Sequence, residues 1–411
     1  MNPVAPSRWH VLPVDRSSDG AAALAGALCE LFEERTERVL VPAGPEEDLT
    51  ALAADLTSRV SGLPDDVRLV MRTSGSTTGH GRLVGLTAAQ LLASAQATDA
   101  RLGGPATWVL ALPPHHIAGL QVIARSLLAG RSPALIEGHV DAGKLVDALG
   151  EAIRRDPDGR VHISLVPTQL ADVLRDADAN DSLRRAGAVL VGGDSTPDVL
   201  IDRARRAGLA LRLSYGMSET CGGCVYDGLP LDDVEVVLGD RLDRPRAEGR
   251  IWLSGPMVMS GYLDDDPGIV RAGDQRWIAT RDLGHWVDGH LVVTGRIDDV
   301  IISGGLKISA SDVRDAALAT GLVRRVAVIG LPSERWGQVV CAVVATSASW
   351  SAVESARLRD GIGERIGRAR APRVVVSAPA LPMLVSGKLD RMATIRLAGQ
   401  AYRAGLAWTC D

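Results

Sequence analysis

No apolar run of transmembrane length occurs anywhere in the 411 residues. The start, MNPVAPSRWHVLPVDR, lacks the basic-then-apolar pattern of a secretory leader, so a cytoplasmic location is expected. Cysteine is scarce as well: Cys29, Cys221, Cys224, Cys341 and Cys410 make an odd count without framework spacing, which suits a reducing compartment. An excess of positive charge is also missing. The formal net charge is -5 and the basic residues are dispersed, so nothing favours a nucleic-acid backbone as partner. Internal repeats and low-complexity tracts are absent. Cys221 and Cys224 do form a CxxC, but a zinc site would want a second pair or two histidines at suitable spacing. A redox motif would want a βαβ start with the pair opening a helix. Structural cysteines are the expectation.

What is present is enough apolar material, 46% of the chain, to bury one large core and a second, smaller one. Through the first 240 or so residues, strand-like runs such as TWVLALP (107–113), VHISLVP (161–167), AGAVLVGG (186–193) and LALRLSYG (209–216) alternate with helix-like stretches. Among these are GLQVIARSLLAG (119–130) and TQLADVLRDADA (168–179). Alternation of this kind predicts an α/β domain with mostly parallel sheets. From about residue 231 the texture changes to short runs broken by Gly and Asp, which predicts antiparallel hairpins, one turning at Asp288-Gly289. After GRIDDV (295–300) come a helix over 309–319 and two strands, over 323–332 and 338–347. An amphipathic helix over 352–367 and a last strand-like run at 372–382 follow. The fold class expected is therefore α/β: a large N-terminal domain of mostly parallel sheets with helices plus a small antiparallel subdomain, then a small α+β C-terminal domain.

Four segments carry chemistry. The first, RTSGSTTGHGRLVGLT (72–87), follows an apolar strand and leads towards the helix 88–102; a Gly-rich turn between strand and helix can converge backbone N–H groups and hydroxyls on a phosphate. It is not a Walker loop, which needs Lys followed by a hydroxyl. It ends in Arg82, which can supply a cation to a polyphosphate. Taken alone it reads as readily as a linker. The second, SYGMSETCGG (214–223), presents an aromatic, a hydroxyl and a carboxylate at the tip of a strand: Tyr215 to stack on a purine, Ser218 to bond phosphate, Glu219 to hold Mg2+. An ordinary loop with a capping Ser and an exposed Glu is the competing reading. The third is TRDLGHWVDGHLVVTGRIDDVIISGGLKIS (280–309), in which Asp282 suits ribose hydroxyls with Arg296 in support. There Asp298-Asp299 also reads as a turn, and Gly304-Gly305 as a tight bend. The fourth is LVSGKLDR (384–391), whose Lys388 on its own is only a solubilising charge.

In this order the motifs TSGSTTGHGR, YGMSET, RDLG, GRIDDVIISGGLKI and SGKLDR resemble the signature of the adenylate-forming superfamily of acyl-CoA ligases, luciferases and peptide-synthetase adenylation domains. The resemblance spans residues 67–391, nearly the whole chain. Within it, LALPPHHIAGLQVIARSLLAG (110–130) and SYGMSETCGGCVYDG (214–228) look most like the short o-succinylbenzoate–CoA ligases of menaquinone biosynthesis.

The resemblance implies an ATP- and Mg2+-dependent enzyme that adenylates the carboxylate of 2-succinylbenzoate and passes it to coenzyme A. The runner-up is another aryl acid, with CoA, a carrier protein or a different nucleophile as acceptor. It implies that Thr73, Ser74, Gly75, Ser76, Thr77, Thr78 and Gly79, with Arg82, cradle the phosphates. Gly192 and Gly193 would let the backbone approach adenine, and Tyr215 and Gly216 would flank it. Ser218 would meet phosphate, Glu219 would bind Mg2+, and Asp282 with Arg296 would bind ribose. Asp298 would be the hinge between an N-terminal domain, 1–297, and a mobile C-terminal domain, 298–411. Lys388 would reach the α-phosphate and carboxylate, and Gly304 and Gly305 would line the pantetheine tunnel. His116 would touch the aromatic acid or gate its entry, with His115 a lesser candidate; Arg125 is expected on a solvated helix face, the alternative being to face the substrate's second carboxylate. A homodimer is implied as well. The departures are an extra Thr in the loop and Gly81-Arg82 where the superfamily has Pro-Lys. Arg keeps a cation but changes its reach, and Gly81 loosens the loop.

Overall fold

The computed structural model describes residues 8–58, 64–73, 81–156, 159–264, 268–346, 350–384 and 388–410. Its elements form four sheets. The N-terminal domain opens with a five-stranded sheet in the order Trp9–Pro13, Val39–Ala43, Leu69–Arg72, Leu83–Leu86, Gly261–Tyr262. Its first three strands are parallel and its last two antiparallel. A seven-stranded sheet follows, with Ala134–Leu135, Thr107–Leu110, Val161–Leu165, Ala188–Gly192 and Leu211–Met217 all parallel and the hairpin strands Gly222–Tyr226 and Leu229–Pro230 at its edge. Thr107–Leu110, Val161–Leu165 and Ala188–Gly192 at its centre are buried almost continuously, as expected where helices cover both faces. Glu235–Leu238, Glu248–Ser254, Ile269–Ala272, Gln275–Val287 and His290–Arg296 then form an antiparallel sheet, the expected small subdomain. Asp288 and Gly289 turn one hairpin with φ of 48° and 78°, as a two-residue turn of this hand requires.

Local chemistry fixes the helix ends. Thr87 caps Ala88–Leu102 through a reciprocal box with Gln90, and Gly103 closes it at φ 92°. Ser351 and Glu354 form the same box at the start of Ala352–Ile366. The C-terminal domain is a six-stranded sheet with helices Ala310–Ala319, Ala352–Ile366 and Arg391–Arg403 around it, holding two apolar clusters of its own.

Three expectations need correction. The Gly-rich loop does not run from strand to helix. GRLVGLT supplies the strand Leu83–Leu86, which pairs antiparallel with Leu69–Arg72 before the helix begins, so the motif connects two strands. The stretch 168–179 belongs to two helices, Pro167–Val173 and Ala177–Arg184, because Asp176 turns extended and caps the second. Arg125 does not face solvent: its helix, Ile117–Leu128, is buried on nearly every side, and the guanidinium lies 5.0 Å from the centroid of the buried Trp108 ring.

Candidate active site

At the carboxyl end of strand Leu211–Met217 the chain reverses through a single 3-10 turn, Ser218–Thr220. Thr220 drives the reversal. Its Oγ1 accepts from the Met217 N–H at 3.0 Å and donates to the Gly222 carbonyl at 2.7 Å, while Cys221 takes the left-handed conformation at φ 52°. Ser218 and Glu219 are thereby thrown out at the strand end. The return strand runs so close that a Cβ on Gly216 would stand 2.1 Å from the Gly222 carbonyl oxygen. Cys221 and Cys224 are sealed in the core behind this turn. Burial pushes both thiols up, that of Cys224 to about 12, so neither is a reactive thiolate near neutrality.

Beside the turn, the Tyr215 hydroxyl donates to Asp282 Oδ2 at 2.8 Å. Asp282 lies directly across the hairpin from Arg296, whose Nη1 is 3.3 Å from Oδ1. Burial raises the Asp282 carboxyl, while Arg296 and the tyrosine hydroxyl pull it back down. Tyr215 is pushed well up, first by burial and then by Asp282, so it remains a donor. Arg296 also approaches Asp298, at 3.7 Å, and Arg281 clamps Asp298 through both oxygens at 3.0 and 3.1 Å.

On the other side, Glu219 Oε1 accepts from the Tyr262 hydroxyl at 2.6 Å. The Arg82 guanidinium lies 3.3 Å from the Tyr262 ring centroid and makes a two-pronged bond to Asp264, at 2.7 and 2.5 Å. Arg82 also ties the loop shut at its base, since its N–H donates to Thr73 Oγ1 at 2.9 Å and its carbonyl accepts from the Thr73 N–H at 2.8 Å. Between those two residues, Ser74, Gly75, Ser76, Thr77, Thr78 and Gly79 lie outside the described residues.

Lys388 comes to this group from the C-terminal domain. A Cβ on Gly193, where φ is 82°, would stand 3.4 Å from Lys388 Cε and 4.0 Å from Nζ. Burial lowers the lysine pKa and Arg296 lowers it further, while Asp194 and Glu219 oppose them. His116 is within reach of the same charge. It begins helix Ile117–Leu128 without capping it, its ring 4.4 Å from that of His115. Burial, then His115 and Lys388, push its pKa down to about 3, so it is a neutral imidazole near pH 7. His115 is buried, 3.4 Å from Glu46. Gly192 must be small, because a Cβ there would meet the Ser214 carbonyl oxygen at 2.7 Å. Gly304 and Gly305 turn the hairpin between Val300–Ser303 and Leu306–Ser309, Gly304 against the Trp336 ring.

The fold thus gathers Tyr215, Glu219, Asp282, Arg296, Gly193, His116 and Lys388 at one strand end, with Asp298 on its rim. It does not bring Gly304 and Gly305 into contact with them. Tyr262, Asp194 and Asp264 join the group without having been singled out from sequence. The usable signal for Tyr262 was rarity: the chain has four tyrosines, and two stand here.

The chain is similar to known proteins over most of its length. The AMP-binding enzyme family matches residues 15–263, and the AMP-binding enzyme C-terminal domain matches 313–388. The chain is 40% identical over 391 residues to a probable 2-succinylbenzoate–CoA ligase of Mycobacterium tuberculosis, covering 92% of this chain and 98% of that one. It is 30% identical over 380 residues to a 2-succinylbenzoate–CoA ligase of Bacillus velezensis, covering 87% and 74%. Among solved structures, o-succinylbenzoate CoA synthetase (MenE) of Bacillus subtilis, in complex with the acyl-adenylate intermediate OSB-AMP, superposes with a TM-score of 0.72 at 24% identity, covering 93% of this chain and 87% of that one. ATP-bound MatB of Rhodopseudomonas palustris gives 0.75 at 18%, covering 98% of each. The chain belongs to the AMP-binding enzyme family.

Proposed function

We propose that this chain is an AMP-forming acid–thiol ligase that joins 2-succinylbenzoate to coenzyme A in menaquinone biosynthesis. The observation that carries the reading is the meeting of Lys388, from the C-terminal domain, with Glu219, Gly193 and His116 at the end of strand Leu211–Met217. The 40% identity to the mycobacterial ligase over 92% of the chain supports the choice of acid. A carboxylate oxygen of the acid attacks the α-phosphorus of ATP and pyrophosphate leaves. The CoA sulfur then attacks the acyl carbon, and AMP leaves with the bonding electrons. Neither half asks for a protein nucleophile, so positioning and charge stabilisation carry the rate.

In this reading Gly192 and Gly193 admit the adenine alongside Tyr215 and Gly216, and Asp282 takes the ribose hydroxyls. Arg296 lowers the pKa of that carboxylate, opposing the burial that raises it. Thr73 and the loop it closes grip the phosphates, and Ser218 bonds one of them. Lys388 brings an ammonium between the entering carboxylate and the α-phosphate, and His116 borders the acyl pocket as an uncharged ring.

Glu219 is the residue to hold Mg2+. It is a hard oxygen donor, and among the described residues its Oε1 takes the Tyr262 hydroxyl while Oε2 has no partner. A lone carboxylate fits an ion that keeps most of its ligands from water and substrate phosphates. Bound there, the ion would neutralise charge gathering on the departing pyrophosphate. Asp298 is the hinge between 1–297 and 298–411, the C-terminal domain moving about it so that Gly304 and Gly305 border the CoA arm in the second half. A homodimer belongs to the same proposal.

The test is pyrophosphate release over a panel of aryl acids, followed by thioester formation with CoA or a carrier thiol as acceptor. 2-Succinylbenzoate with CoA is the expected pair. No release above background with that acid, alongside clear release with another benzoate, overturns the choice of substrate.

A further inference from the structure

We propose that Tyr262 is a positioning residue for the Glu219 carboxylate, held in place by Arg82, so that the exit of the phosphate loop sets the divalent-ion site. The inference rests on reading Glu219 as the metal-holding acid and adds what keeps that acid in place. Three observations carry it.

The first is backbone placement. Residues 259–263 bridge the first two sheets of the N-terminal domain: the Met259 N–H donates to the Glu219 carbonyl at 2.9 Å, and the Ser260 and Leu263 N–H groups donate to the carbonyls of Gly85 and Leu83 at 3.0 and 2.9 Å. Tyr262 pairs with Val84, two residues after Arg82, and so stands between the loop exit and the Ser218–Thr220 turn. The second is the hydrogen bond. At 2.6 Å the hydroxyl fixes Glu219 Oε1 and leaves Oε2 to face a ligand. The third is the ring. Arg82 covers it at 3.3 Å and is itself oriented by two bonds to Asp264, which limits how far the tyrosine can swing. A planar guanidinium stacks on a ring while forking onto a carboxylate, and an ammonium cannot do both. That gives a physical use for arginine at this position.

The experiment measures ATP binding by calorimetry as a function of Mg2+, and separately in EDTA, for the full chain and for Tyr262→Phe, Arg82→Ala, Glu219→Gln and Tyr262→Phe/Glu219→Gln. Outer partners of metal ligands typically change metal affinity by about tenfold or more. Tyr262→Phe should therefore raise the Mg2+ concentration for half-maximal ATP binding about tenfold and leave binding in EDTA unchanged. Arg82→Ala should shift it in the same direction by less. The double variant should behave as Glu219→Gln alone, because the tyrosine acts only through that carboxylate.

An unmoved midpoint in Tyr262→Phe while Glu219→Gln shifts overturns the inference and leaves the metal reading standing. An equal loss of binding with and without Mg2+ overturns it too, since the tyrosine would then be supporting the fold or the nucleotide. An unmoved midpoint in Glu219→Gln removes the metal reading, and the inference with it.

Discussion

His162 shows how much one side chain can set the pH response of the fold. It is fully buried in strand Val161–Leu165, edge-on to Trp108 with ring centroids 5.2 Å apart, and burial pushes its pKa down to about 4. In the unfolded chain a histidine titrates near 6.5, so between that pH and about 4 the unfolded state holds a proton that the folded state refuses. Stability is therefore lost as pH falls through this window, by up to about 3 kcal/mol from this residue. Relative to wild type, His162→Phe should gain stability between pH 7 and pH 4, measured as the shift in urea midpoint at each pH; a constant difference across the window would contradict the assignment. At this scale the sequence was legible where type and motif coincide, as at Tyr215, Glu219, Asp282 and Lys388. Lys388 is also one of only three lysines, beside Lys144 and Lys307, in a chain whose lysines and arginines total 45. Arg125 was misjudged because helical spacing reveals a stripe but not whether other layers cover the remaining faces.

Elements were legible in proportion to their length and to the strength of their end signals. Ala88–Leu102 and Ala352–Ile366 carry capping boxes and fall where the pattern placed them. The four-residue strand Leu83–Leu86 was missed because it is short and contains Gly85; its identity comes from pairing with Leu69–Arg72 and with Gly261–Tyr262, which lie 14 and 178 residues away by first position. Helix Arg391–Arg403, capped by Asp390, went unnoticed because few of its positions are strongly apolar. The contacts between the domains are also invisible in sequence. Arg325 of the C-terminal domain bonds both oxygens of Asp172 at 2.8 and 2.7 Å, and Arg314 donates to Ser195 at 2.9 Å. These contacts join the domain that carries Lys388 to the N-terminal domain. An exposed pair contributes up to about 1 kcal/mol, so Asp172→Arg should slow pyrophosphate formation by roughly fivefold, and so should Arg325→Asp. Combining the two reversals should restore most of the rate while the KM for ATP stays unchanged; failure of the double reversal to recover would show that the pair does not dock the domain.

For the molecule as a whole, the order of motifs made the family readable, because five short segments in register survive even when each is ambiguous alone. What no spacing could supply was which segments meet. Tyr215, Gly193, Asp282 and Arg296 come from the second and third sheets and their ends, whereas Lys388 comes from the domain built on the fourth. Division of the site between domains predicts unequal loss: Lys388→Ala should cut acyl-adenylate formation by orders of magnitude and largely spare thioester formation from supplied acyl-adenylate. Equal loss in both halves, measured by quenched flow, would contradict a lysine used in one half alone.

The same arrangement turns the lysine into a reporter. Lys144 and Lys307 stand exposed, whereas Lys388 is half-buried against Gly193 for as long as the C-terminal domain stays docked. An amine-reactive reagent thus meets two internal standards and one gated target on a single chain. On the proposed domain motion, the labelling of Lys388 relative to the other two, read by peptide mass spectrometry, should slow when ATP and the acid are bound and quicken when the domain leaves the site.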